Sequence, residues 1–227
     1  FIQGEAEFLP DDRYEERQEA MRRSGTYFAR ALRLLEPALE RRAPGLIKAL
    51  AAGKAGDSAS ALLGKLGKAD LPLLYWTAAA LLSEYSLDPL AMANARVLRI
   101  APPLLSRAQA LEPGWSQGSV EELLVSLYAS LPDYLGGGMD KAELAWNQAY
   151  SYSKGGSASL YIARAMYWDV PADDYAAFRK HIDQALAVDT STNPDSRLAT
   201  ELAKRRARRI LAAQEQYFLT IPPGSAP

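Results

Sequence analysis

Apolar residues recur every three or four positions along nearly the whole chain, and this periodicity constrains the fold more than any other feature. Within Tyr27 to Leu39, for example, Phe28, Leu32, Leu35 and Leu39 follow one another at helical spacing, with Arg30, Arg33 and Glu40 on other faces. No segment shows the strict alternation of a half-buried strand. Breakers cut the periodic run into helices at Ala43-Pro44-Gly45, Gly53 to Gly56, Asp88-Pro89, Glu112-Pro113-Gly114, Gly136 to Gly138, Gly155-Gly156, Val170-Pro171 and Asn193-Pro194. Asp88-Pro89 and Asp195 read as helix starts, because a carboxylate is favoured beside the free amides of a first turn.

The helices carry a weak internal repeat. A Gln-Ala-Leu or Gln-Ala-Tyr step begins at Gln109, Gln148 and Gln184, each time shortly before a turn. The spacing lies near the roughly 34-residue period of tetratricopeptide repeats, and RAQALEPGW and IDQALAVDTSTNP resemble the close of such a repeat's second helix. A helix pair cannot bury its apolar face alone, so successive pairs are expected to stack and share a core. The expectation is an all-α, irregular tetratricopeptide-like solenoid in a single compact domain. Residues 1–24 would form the N-terminal segment and the start of the first helix, 25–216 the repeat domain and 217–227 a tail.

Composition narrows the function. With 48% hydrophobic and 23% charged residues over 227 positions, the chain can bury a large core. A net charge of −1 gives no field that would draw it to nucleic acid or an acidic membrane. There is no cysteine, which removes disulfides, thiolate metal sites and cysteine nucleophiles. The opening FIQGEAEFLPDDRYEER has neither the basic start nor the apolar block of a signal peptide, so an exported form would have lost its targeting segment. Leu71 to Leu82 is the longest apolar run; it is too short for a bilayer span and reads as a buried helix.

Few segments look like chemistry. Gly136 to Gly138 lacks the preceding strand and the Lys-Ser/Thr pair of a phosphate loop, since Lys141 precedes Ala142; the triplet reads as a corner between helices, with Asp140 in the following first turn. His181 is the only histidine and reads as a surface or partly buried helix residue. Asp169, Asp173, Asp174 and Asp183 would have to supply any acid/base pair or hard-cation site, and Asp173-Asp174 already suits a helix N-terminus. A helical hydrolase built on those carboxylates is accordingly the weakest functional class. Lys204 to Arg209, KRRARR, is the densest charge and reads as a solvated helix face or a patch docking an acidic partner. The grouped Tyr and Trp residues mostly suit the core, a minority being suited to line an apolar groove or cavity.

Taken in order, Leu74-Tyr75-Trp76, ALEPGW with Gly118, LYASLP at Leu127 to Pro132, GGGMDKAELAWNQAYS, LYIARAMYWDVPADDYAAF and RLATELAKRRARRILA resemble the T component of tripartite ATP-independent periplasmic (TRAP) transporters over most of Tyr27 to Ala213. The resemblance implies a non-enzymatic, periplasmic lipoprotein of tetratricopeptide-like helix pairs, a homotrimer that docks the extracytoplasmic solute-binding (P) protein. It further implies an apolar cavity that helps deliver a hydrophobic or organic-acid ligand, and we expect Tyr75, Trp76, Tyr128 and Trp168 to line it. No catalytic residue, cofactor or metal comes with the family. Membrane attachment would be only through a lipid anchor on a cysteine absent from this chain. The alternative is a tetratricopeptide-type adaptor lipoprotein of another envelope assembly, with a peptide groove in place of a cavity.

Overall fold

The computed structural model describes residues 2–53, 57–90, 95–191 and 194–222. Among them the chain is all helix and turn, with no strand. In order the helices are α1 (Ile2–Ala6), α2 (Tyr14–Arg42), α3 (Leu46–Ala51), α4 (Asp57–Gly64), α5 (Leu71–Leu87), α6 (Val97–Leu111), α7 (Trp115–Ser130), α8 (Met139–Ser153), α9 (Ala158–Arg164), α10 (Tyr175–Ala187) and α11 (Arg197–Ala212). This is the all-α helical-repeat fold expected. The chain divides into two compact units. Leu9–Leu123 forms the first; Gln3–Phe8 joins Leu124–Pro227 in the second.

In the first unit, α5 packs against both α2 and α6. Its sequence dictates that central place, because apolar residues surround it: Leu71, Leu74, Thr77, Ala78, Ala80 and Leu81 are all buried. Thr77, Ala78 and Ala80 are small enough to let neighbours approach closely, and the Thr77 hydroxyl is satisfied by donating to the Leu73 carbonyl at 2.7 Å. Leu32 and Leu39 of α2 and Ile100, Leu104 and Leu105 of α6 fill the facing positions. The N-terminus of α5 is fixed by Asp70, whose buried carboxylate accepts from the Gly67 amide at 2.9 Å and from Arg42 Nε at 2.7 Å. That guanidinium holds the Asp70 pKa below the ordinary carboxylate value against the opposing effect of burial.

The second unit is built on Phe178 and Ile182 of α10, both fully buried, against Tyr161 and Ile162 of α9 and Ile210 and Leu211 of α11. Phe178 meets Phe218 edge-on at 5.0 Å, and Tyr175 meets Phe218 at 5.4 Å. Asp174 caps α10 by accepting from the Ala177 amide at 2.9 Å, as the acidic pair after Pro171 predicts. Directly after α9, Ala165–Asp169 widens to a π-helix, a wide turn that re-aims side chains and recurs at functional positions.

Gly136 to Gly138 is a corner, as expected. Gly136 (φ 90) and Gly138 (φ 114) take left-handed angles ahead of α8, and a Cβ on Gly137 would fall 2.0 Å from the Leu131 carbonyl oxygen. Asp140 lies in the first turn of α8. Asp195 sits in a short 3-10 turn leading into α11. Asp88-Pro89 closes α5, and residues 91–94, where a helix starting there would run, lie outside the described residues. Proline disfavours helical angles in the residue before it, and Asp88 accordingly takes φ −152, its amide closing the last turn on Tyr85. Lys54 to Gly56 and Asn193, parts of two expected turns, lie outside the described residues.

Candidate functional site

The four aromatic residues expected to line a cavity fall into two places. Tyr75 and Trp76 belong to α5 in the first unit. Consecutive residues on a helix point about 100° apart, and here the two part company. Tyr75 is the inward one. Its phenol is pushed up to about 12, mainly by burial and secondarily by the charge of Glu122. Trp76 turns outward and is 57% exposed. The Tyr75 ring meets Trp76 edge-on at 5.1 Å and Trp115 at 5.3 Å, so the three rings form a continuous row.

Trp115 enters from the first turn of α7, which is irregular. Ser116, Gln117 and Gly118 follow it with φ of 50, 59 and 89, left-handed angles that cost free energy at the two non-glycine residues. Just beyond lies Glu121, with no exposed surface. One carboxylate oxygen accepts from Gln109 Nε2 at 3.3 Å and from the Gly114 amide at 3.4 Å, while among the described residues Oε2 has no hydrogen-bond partner. A buried carboxylate with an unmatched oxygen beside strained backbone is unlike the fully satisfied polar groups of an ordinary core.

Tyr128 and Trp168 lie in the second unit. Tyr128, on α7, is half-buried, which raises its pKa, and Lys141 Nζ stands 5.9 Å from its ring centre. Trp168 sits on the π-helix. Its ring covers the Arg164 guanidinium at 4.6 Å, and the Trp146 ring takes the other contact at 5.2 Å, so the cation lies between two indoles. Glu143 pairs with Arg164, Tyr150 stacks on Trp146 at 5.1 Å, and the Trp146 indole N–H donates to the Leu160 carbonyl at 3.1 Å. Among the described residues no ring contact joins Tyr128 to Trp168.

An open groove of about 500 Å³ runs between α4 and α6, walled by Leu63, Pro102, Pro103 and Arg107. None of the four expected residues lines it. Arg107 is already engaged there, donating to the Leu66 carbonyl at 2.6 Å and the Gly64 carbonyl at 3.2 Å, and so finishing the end of α4.

The acidic residues near His181 are dispersed into separate tasks. His181 Nδ1 lies 2.6 Å from Asp169 Oδ2, both side chains largely buried, because the π-helix turns Asp169 towards α10. Asp174 caps a helix, and Asp183 pairs with Arg179 along α10 at 3.1 Å. Among the described residues no group of three or more potential ligands comes together for a metal. In the KRRARR run, Arg205 pairs with Glu5 at 2.9 Å and Arg206 with Glu7 at 3.2 Å; Arg209 also pairs with Glu5. An acidic partner for that patch is thus supplied by the chain's own α1.

The sequence reading missed the Arg164 sandwich and the Glu121 pocket. The first had a visible signal, since Arg164 and Trp168 are four apart on one helical stretch, the spacing at which side chains stack. The second had none, because burial of one glutamate in Glu121-Glu122 depends on where α7 begins.

In each unit the helical-repeat fold carries a run of ring contacts. Residues 1–218 match the family described as the TRAP transporter T-component, and the chain belongs to that family. It is also 30% identical, over 219 residues, to an uncharacterised protein of Treponema pallidum (strain Nichols); the alignment covers 96% of this chain and 68% of that protein. Membership assigns an accessory role in a TRAP transport system and, with it, a place at the cell envelope. No helix among the described residues is long and apolar enough to cross a membrane.

Proposed function

We propose that the chain is the accessory subunit that docks the extracytoplasmic solute-binding protein of its transporter, and that its aromatic rows receive an apolar or organic-acid ligand during transfer. The observation that carries this reading is Trp76: a large ring left 57% exposed on the most apolar helix, propped by Tyr75 and Trp115. Such a ring loses little conformational freedom on binding, which is why exposed, supported tryptophans anchor interfaces and ligand sites. In the second unit Trp168 and Trp146 lie beside Arg164, and Tyr128 stands apart from them. Arg164 is already paired with Glu143, so what this unit offers a ligand is the rings. In this reading the working form is periplasmic, held to a membrane through a lipid on a preceding segment, and assembled as a homotrimer.

The test is calorimetric titration of the chain with the solute-binding protein encoded beside it, repeated with Trp76→Ala and Trp168→Ala. Binding that weakens at least about tenfold in one variant, with its thermal unfolding little changed, supports the reading. Unaltered binding in both removes the aromatic rows from docking. The open groove between α4 and α6 favours a peptide-binding adaptor as the second reading, in which substitutions along that groove would carry the loss.

A further inference from the structure

The basic face of α11 is already occupied, and its occupant defines what it recognises. α1 has five residues, too few to be helical by themselves in water, so its order comes from what it docks on. Two ion pairs hold it, Arg205 and Arg209 on Glu5, and a third, Arg206 on Glu7, holds the residue just past its end. Arg209 also donates to the Glu5 carbonyl at 3.3 Å and lies 5.9 Å from the ring centre of Phe8. Ala6 is fully buried, and Phe8 packs against the apolar core of the second unit beside Tyr217 and Ile221. The recognised pattern is therefore two carboxylates one residue apart, followed by an aromatic ring that enters an apolar seat. Arg208 stands exposed on the same helix, and among the described residues it has no ion-pair partner.

Each of these ties is weak. The arginines are partly exposed, and exposed pairs are screened by salt and contribute little individually. A five-residue helix held by weak, screened ties exchanges readily with a competitor of the same chemistry presented at high local concentration. Pro10, two residues beyond Phe8, precedes the separate 3-10 turn Asp11–Arg13 that leads into α2, so α1 can leave without unwinding α2.

We propose that the face of α11 formed by Arg205, Arg206 and Arg209, with the Phe8 seat beside it, is a docking site for an acidic, phenylalanine-bearing segment of a partner protein, and that α1 covers it in cis until such a segment displaces it. Charge complementarity selects an acidic segment, and the apolar seat selects a peptide over a simple anion. This docking chemistry stands whether or not the partner is the solute-binding protein.

The probe is a labelled synthetic peptide of residues 2–9, IQGEAEFL, titrated by fluorescence anisotropy into the full chain and into its Glu5→Gln/Glu7→Gln variant. The expected result is at least about tenfold tighter binding to the variant, lost at high salt, lost with a peptide carrying Gln at both acidic positions, and lost when Arg205 and Arg206 are also changed to Gln. Equal affinity for both chains, or none for either, overturns the proposal. Capture of the variant by phosphatidylglycerol vesicles but not by the peptide also overturns it, assigning the face to lipid headgroups. A second readout uses the unaltered chain: excess peptide should speed hydrogen exchange at residues 2–8, and unchanged exchange there contradicts displacement.

Discussion

Individual residues divide into those that hold the backbone and those left free to meet something else. Trp76 is of the second kind. Its replacement by alanine removes one edge-on ring contact and little buried area, so we expect a loss of stability below about 1.5 kcal/mol in chemical denaturation. Gly137 is of the first kind. A methyl group there would lie 2.0 Å from a backbone oxygen that cannot swing away, so Gly137→Ala should cost about 2–4 kcal/mol in the same measurement. Parity between the two substitutions would contradict the placement of both. At this scale the sequence was half legible. The glycine corner could be read, because three adjacent glycines before a helix-forming run have few other uses. The exposure of Trp76 could not, since Tyr75 and Trp76 are neighbours and the register of α5 alone decides which one turns outward.

Helices were the most legible elements, and the reason is physical: a stripe of apolar residues at period 3.6 leaves the backbone one economical conformation. The Gln-Ala-Leu and Gln-Ala-Tyr steps do fall in the last turns of α6, α8 and α10. Pro44 and Pro113 fall in turns, as read, whereas Pro37, Pro102 and Pro103 lie inside helices, tolerated there because the surrounding packing outweighs each lost hydrogen bond. The π-helix had no signature in sequence, yet it sets Trp168 on Arg164 and Asp169 on His181. Capping gives a direct check: Asp174→Ala should cost about 1 kcal/mol, and no change would remove the Ala177 hydrogen bond from the stability of α10. The Asp70–Arg42 tie between the end of α2 and the start of α5 gives another. Because the folded-state pKa of Asp70 lies below its unfolded value of 3.8, the tie stabilises fully above that value and is lost as pH falls through the lower one. Asp70→Asn should therefore be less stable than the unaltered chain near neutrality and converge on it in acid, as pH falls below the unfolded value of 3.8, followed by thermal unfolding across pH. A difference that does not shrink in acid would contradict this.

For the whole molecule, the near-zero net charge spoke against nucleic acid and the absence of cysteine against thiol chemistry, and the family supplied the transport system to which the chain belongs. The acidic α1 on the basic α11 was invisible to sequence reading because the partners are separated by almost the full length of the chain. The central claim is that this chain docks the solute-binding protein of its transporter. The most direct measurement is the mass of the mixture of the two proteins by light scattering after size separation. One peak of defined stoichiometry, heavier than either protein alone, is the predicted result. Two separate peaks at micromolar concentration would contradict it.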